Sequence, residues 1–383
     1  ITAPDGFIAA PDQTVVVNET DDVQRFTIEN KRRQLEIAKT AEIDGVYFAG
    51  MENDSVVTSD DPAHAAVMYG AELTLYYSTA QIPDYEEAFS DGNVPTGVSQ
   101  ADKWISGSDG VYTESDFKKE LIREDQIGDY KPHVIEDISN GWYYLVESST
   151  PDYYKTTSVK EIQVTDHTTS GNLTEIQVVN IPMPLEVNVF KRNDAGSPLP
   201  GAVFLVKNKT LGGTEVGTLS TGSDGYGKLL ITETGRFGED GAFEPYSFTI
   251  QEVSAPAGYQ INTEIHEFTM APDNHTDIAI MQNPNDGAIV DGVLYVDDDE
   301  SAITISKSDF STGEAVPGTK LSVYEAEYDG NKWQSTGKQS GNDWTWTLAK
   351  NEMTHTVTGL VAGSVYVIVE EEVPAGYTLA DDV

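Results

Sequence analysis

No cysteine occurs in the 383 residues, which excludes disulfides, thiol catalysis, thiolate metal sites and a cysteine-built thioester. Basic residues are scarce as well: 23 Lys and Arg stand against 64 Asp and Glu, a formal charge of −41. Nucleic acid and anionic membrane surfaces need basic patches, so neither is expected as a partner. The acidic surplus suits a soluble, self-repelling chain in an exposed setting. An apolar run long enough to span a bilayer, a signal peptide and an LPxTG-like sorting motif are all missing, so such signals lie outside this sequence or are absent. The six histidines (His64, His133, His167, His266, His275, His355) lack metal-ligand spacing, and no nucleophile elbow or phosphate loop is found. A turnover enzyme and a resident cofactor are therefore not expected. Helical periodicity is nearly absent too; its best instance is Glu114 to Gln126, a short helix or helical loop.

What fills the chain is short alternating runs of Thr, Val, Tyr and Ile between Gly, Asp, Asn and Pro. Asp224-Gly225, Asn193-Asp194-Ala195-Gly196 and Asp329-Gly330 are turn signals. The fold class is all-β, and the length fits roughly three domains. Three of the runs end in lysine where another Val or Ile would stand: Leu35 to Lys39, Leu185 to Lys191 and Ile303 to Lys307. Residues two apart in a strand share a face, so each lysine points the way its apolar predecessors point. An ammonium facing a core is costly unless paired, neutralised or consumed.

The lysines head repeated units. Ser197-Pro198-Leu199-Pro200-Gly201-Ala202-Val203-Phe204 follows Lys191, and Ala315-Val316-Pro317-Gly318-Thr319-Lys320-Leu321 follows Lys307. Later comes an aromatic strand ending in glutamate: Tyr246 to Glu252, Tyr366 to Glu370 and, more loosely, Gly141 to Glu147. A tyrosine stands seven residues after each glutamate (Tyr259, Tyr377, Tyr154). A third strand, ending in asparagine, closes each unit: Phe26 to Asn30, Ile176 to Asn180 and Ile278 to Asn283. The domains expected from this are 1–31 (the end of a preceding unit), 32–182 (with insertions near 44–68 and 81–129), 183–284, and 285–383, which lacks a last strand.

Lysine, glutamate and asparagine meeting in an apolar core would have a specific chemistry. Burial lowers the lysine pKa and raises that of the glutamate, leaving a nucleophilic amine beside a protonated carboxyl. The amine would attack the asparagine carbonyl, the glutamate would shuttle protons, and loss of ammonia would leave a Lys–Asn amide. A buried Lys–Glu ion pair with a hydrogen-bonded Asn, or a lysine snorkelling to solvent, would serve burial equally well.

The lysine strand with "PLPGAVF" or "VPGTKL" after it, the "E…APAGY" box, and Thr358 to Tyr366 leading into the glutamate strand resemble the Cna B-type (SpaA-like, prealbumin-like) domains of Gram-positive surface adhesins and pilins. The resemblance spans nearly the whole chain and is clearest over 185–284 and 301–377. It implies a tandem array of Ig-like, prealbumin-like β-sandwiches with an autocatalytic isopeptide bond joining first and last strands. Carried over by position, the sets are Lys39/Glu147/Asn180 and Lys191/Glu252/Asn283. Lys307 and Glu370 match a set without an acceptor; Asn30 is an acceptor without its lysine and glutamate. Glu147 lacks the Ala-Pro-x-Gly-Tyr turn, and Glu370 is chosen over Glu371 and Glu372 by its spacing to Tyr377. Such a bond closes a loop of about 90–140 residues, worth roughly 4–5 kcal/mol by loop entropy.

The resemblance implies a structural shaft of a cell-surface adhesin or pilus-like fibre, extracellular on a Gram-positive bacterium. Its partners would be other domains or subunits of the same fibre. The absence of a Tyr-Pro-Lys pilin motif favours a stalk over a major pilin backbone. The alternative is a ligand-binding adhesin module whose insertions, with Tyr47, Phe48, Tyr85 and Trp104, meet a host or matrix ligand. Asp297-Asp298-Asp299-Glu300 reads first as a solvated acidic linker, with a calcium site as the alternative.

Overall fold

The computed structural model describes residues 4–10, 12–20, 22–119, 122–165, 174–272 and 277–380; His167 and His275 lie outside them. The chain is all-β, with helix confined to single turns. No helix among the described residues is long and apolar enough to cross a membrane. It divides into two compact units, one of residues 1–185, 232–246 and 270–279, the other of 186–231, 247–269 and 280–383.

The first unit is built on two sheets. One runs Lys160–Val164, Gly141–Ser149, Glu72–Ser78, Ser99–Ile105 in spatial order. The other runs Thr174–Asn180, Gln34–Ile43, Val46–Glu52, Ser55–Ser59, with His133–Glu136 also paired to the Gln34–Ile43 strand. Alternation places Leu35, Ile37 and Val178 from one sheet against Leu73, Leu75, Tyr143, Leu145 and Ile162 from the other, the interior of a sandwich. The first and last strands are parallel neighbours: Ile176 lies opposite Ile37, and Val178 opposite Lys39.

The second unit repeats the parallel pairing of first and last strands. Leu185–Asn193 carries Leu185, Val187, Val189 and Lys191 inward, all fully buried. Its parallel neighbour is Val293–Asp298, with Val296 opposite Lys191. That strand lies beyond residue 284, so the expected domain boundary falls too early: the sandwich opened by Leu185 closes at Asp298. A further sandwich follows in the same unit, with a core of Leu321, Val323, Trp344, Trp346 and Val357. Its first strand, Ala302–Ser306, pairs with Thr354–Thr358, and Tyr366–Glu372 pairs with Lys320–Tyr328.

One expectation holds and one fails. Glu114 to Gln126 is a helical loop: among the described residues it has an α-turn, Glu114–Phe117, and a 3₁₀ turn, Glu124–Gln126. Without a periodic apolar face such a segment cannot offset the cost of nucleating a longer helix. The α-turn owes its start to Asp116, whose carboxylate accepts hydrogen bonds from the Thr113 backbone N–H and hydroxyl, both 2.8 Å. Phe26 to Asn30 is not a strand; Phe26 and Ile28 are 53% and 66% exposed. Alternation alone makes no strand, because each backbone donor and acceptor needs a neighbour, and among the described residues no strand lies beside this stretch.

Candidate functional site

In the first unit Lys39, Glu147 and Asn180 come together from three strands. Lys39 and Asn180 sit on the parallel first and last strands, the asparagine two residues past the position opposite the lysine. Glu147 reaches them from the facing sheet. Lys39 Nζ is 3.3 Å from Glu147 Oε1 with both side chains fully buried, and Asn180 Nδ2 donates to Glu147 Oε2 at 3.1 Å. Burial, opposed by the neighbouring Glu147 carboxylate, brings the Lys39 ammonium down to about 8. The Asn180 side-chain carbonyl oxygen is buried and has no hydrogen-bond donor, an orphaned acceptor at the carbon an amine would attack.

In the second unit Lys191 Nζ lies 3.2 Å from Glu252 Oε2, with the Phe204 ring 5.8 Å away. The third member is not Asn283. The strand Ala279–Gln282 ends before Asn283, whose side-chain oxygen accepts from the Asn285 N–H at 2.9 Å while its amide donates to the Glu267 carbonyl at 2.8 Å. Asparagine is as suited to such a turn as to an acceptor role. The residue in contact with Lys191 is Asp298. It stands two residues past Val296, the partner of Lys191, just as Asn180 stands two past Val178. Burial pushes both Glu252 and Asp298 up from the usual carboxylate range, and the Asp298 carboxylate adds to the rise at Glu252.

The acidic run is thereby explained. Asp298 points inward, and its neighbour Asp297 points outward to Arg192, Nε to Oδ1 2.6 Å. The run alternates as strand side chains do; no metal-holding cluster occurs among the described residues.

Lys307 meets Glu370, 2.8 Å from Nζ to Oε1. No Asn or Asp joins them among the described residues, and Lys307 remains a quarter exposed. Asn30 is exposed, and its side-chain oxygen accepts from the Ala10 N–H at 3.1 Å; no lysine or glutamate contacts it among the described residues.

A feature that sequence reasoning missed unites the three glutamates. Each accepts a hydrogen bond from the backbone N–H ten residues further on: Thr157 to Glu147 at 2.7 Å, Asn262 to Glu252 at 2.7 Å and Ala380 to Glu370 at 2.6 Å. The segment after the glutamate strand loops back over the carboxylate and holds one oxygen, leaving the other toward the amine in the sets of Lys39 and Lys307. Only Glu370 of the run Glu370–Glu372 is buried, so the same bond separates it from its neighbours. The recurring tyrosine marks this loop; Tyr154 is 3% exposed.

Parallel first and last strands, an inward lysine and a facing glutamate define a class of tandem β-sandwich. Residues 186–284 and 301–383 match the family model of the SpaA prealbumin-like fold domain. Among solved structures, the Bacillus anthracis TIE protein aligns over 94% of this chain and 51% of its own length, with 18% identity and a TM-score of 0.42. This chain thus spans about half of that protein. BcpA, the major pilin subunit of Bacillus cereus, aligns over 92% of this chain and 94% of its own, with 14% identity and a TM-score of 0.30. GBS52, the minor pilin of Streptococcus agalactiae, aligns over 72% of this chain and all of its own, with 14% identity and a TM-score of 0.24. No curated protein matches the chain in sequence.

Proposed function

We propose that this chain is a length of structural shaft from a Gram-positive cell-surface adhesin or pilus-like fibre, its sandwiches stapled by self-formed amides. The supporting observation is that two sandwiches each set a fully buried lysine against a glutamate from another strand and a carboxamide or carboxyl from the parallel last strand. In the first, neutral Lys39 Nζ attacks Asn180 Cγ. The Nζ–Cγ bond forms, the Cγ–Nδ2 bond breaks, and Glu147 carries a proton from the amine to the departing ammonia. In the second, Lys191 Nζ attacks Asp298 Cγ, and the leaving group is water, with Glu252 as the shuttle. Each reaction runs once and consumes its own nucleophile, so the chain is substrate and catalyst together and not a turnover enzyme.

The chemistry needs a dry pocket for two reasons. Desolvation holds part of the Lys39 amine neutral, and it raises the Glu252 carboxyl toward its protonated form. Intact-mass measurement of the folded protein tests the reading: the mass falls below that of the sequence by one ammonia and one water. A mass equal to the unmodified sequence overturns it.

A further inference from the structure

The first unit contains a cleft of about 450 Å³ that the amide chemistry does not use. Its walls are aromatic: Tyr69 stacks on Tyr130 with ring centroids 5.0 Å apart, Tyr153 stacks on Phe243 at 5.5 Å, and Phe48 lines the same space. Tyr153 has φ 71°, a left-handed conformation that is strained for a bulky residue. Its backbone is pinned there by a 2.7 Å bond from the Met183 N–H to the Tyr153 carbonyl, so the ring is held on Phe243 at the expense of strain. Of the aromatics suggested by the insertions, Phe48 alone lines the cleft; Trp104 is buried in the sandwich core.

Three aspartates share this wall, Asp129, Asp152 and Asp240; Asp152 and Asp240 are exposed, and Asp129 is half-buried. Its Oδ2 is wedged against Gly50, where any side chain would collide with it, and has no hydrogen-bond donor. The Met51 N–H bonds to the carboxylate, but burial still pushes the group up to about 6. Arg123, the nearest cation acting on it, is engaged by Asp125 at 3.0 Å and by the Ala63 and His64 carbonyls. Asp129 is therefore a desolvated anion without an ion-pair partner among the described residues, and the cleft is where a counter-charge can come from.

We propose that this cleft binds an alkylammonium group, the side chain of a lysine on a partner polypeptide. The methylenes would lie between the Tyr69/Tyr130 and Tyr153/Phe243 pairs, and the ammonium would sit by Asp129 within reach of the ring faces. A compact ammonium matches a carboxylate with one oxygen already wedged in place, whereas a guanidinium fork needs both oxygens. A sugar would stack on the rings but leave the buried charge uncompensated, and an uncharged alkyl chain would do the same.

The test compares n-pentylammonium with n-pentanol, which has the same alkyl stem without the charge. Saturation-transfer NMR on the full chain at pH 7.5 should give saturable binding of n-pentylammonium, at least about tenfold tighter than n-pentanol. Asp129→Asn should remove that tenfold preference, and Tyr153→Ala should weaken both probes. Retention of the Lys39 crosslink in each variant, read by intact mass, shows that the sandwich remains folded. Equal affinity for the two probes on the unaltered protein overturns the proposal without any variant. So does an ammonium preference that survives Asp129→Asn, or saturable binding of N-acetylglucosamine without binding of n-pentylammonium.

Discussion

Replacing Asp298 separates the acceptor chosen by geometry from the one chosen by spacing. The amide between Lys191 and Asp298 closes a loop of about a hundred residues, and tying such a loop removes roughly 4.7 kcal/mol of unfolded-state entropy. Asp298→Ala loses that stabilisation and also leaves Lys191 Nζ with only Glu252 as a buried partner. For a domain of this size the loop term alone corresponds to a fall in Tm of about 20 °C. Asn283→Ala removes only a turn asparagine at a half-buried site and should cost about 1 kcal/mol or less.

The decisive comparison is Asp298→Asn. The amide formed from an aspartate or an asparagine is the same chemical group, so this variant should crosslink, releasing ammonia in place of water, and reach the same final mass as the unaltered protein. Intact-mass spectrometry and scanning calorimetry on the four proteins check each part. Loss of one crosslink in Asn283→Ala, or its persistence in Asp298→Ala, would refute the assignment of Asp298.

The first amide should form faster as pH rises from 6 to 8 and level off above, because Lys39 loses its proton near 8; refolding followed by timed mass measurement reads the rate, and a pH-independent rate contradicts the neutral-amine step. Asn180→Ala cannot crosslink and exposes the linkage directly. Its folded Lys39 gives up a proton near 8 and its unfolded one near 10.5, so the unfolded state binds more protons between those values and stability should rise with pH across that window, by about 3 kcal/mol in all. Urea titrations at several pH values measure this, and a flat or falling trend contradicts it. Lys307 should remain a free amine in the isolated chain, acylated by a water-soluble succinimidyl ester and found unmodified in peptide maps before labelling, whereas Lys39 and Lys191 should appear only in crosslinked peptides; a crosslinked Lys307 would contradict the absence of an acceptor.

The all-β class was legible because the period-two alternation is strong wherever a sandwich interior has to be filled, as in Leu185, Val187 and Val189. The inward lysines were legible for the same reason, since each continues an apolar face. The acceptor of the second sandwich was not. Asn283 follows an alternating strand, but asparagine ends turns as readily as it accepts an amine, and residue type alone does not separate the two roles. Asp298 was hidden inside Asp297-Asp298-Asp299-Glu300, where charge density suggests a solvated run. The signal lay in the residues before it: Leu294, Val296 and Asp298 share a face. The N–H bonds from Thr157, Asn262 and Ala380 were beyond reach, because any residue but proline supplies a backbone donor and only the loop path brings it to the glutamate. Phe26 and Ile28 show the converse, a strand-like pattern without the neighbouring edge that turns pattern into structure.

The placement of the reactive residues also determines where load would travel. Lys39 lies in the first strand of its sandwich and Asn180 at the end of the last, so with the amide formed a pull on the chain enters through Leu35 and Ile37, crosses at Lys39 and leaves from Asn180. Everything between 40 and 179, both insertions included, lies off that path. The same holds for 192–297 once Lys191 is joined to Asp298. Parallel first and last strands are what allow this, because the crosslink then spans two adjacent backbones and the intervening sheets need carry no tension. A hydrogen-bonded Lys–Glu–Asn cluster would hold the same residues together at rest but would part before a covalent bond does. Among the described residues Lys307 is held to Glu370 by an ion pair only, so within them the proposed amides would carry tension past the sandwiches of Lys39 and Lys191 alone.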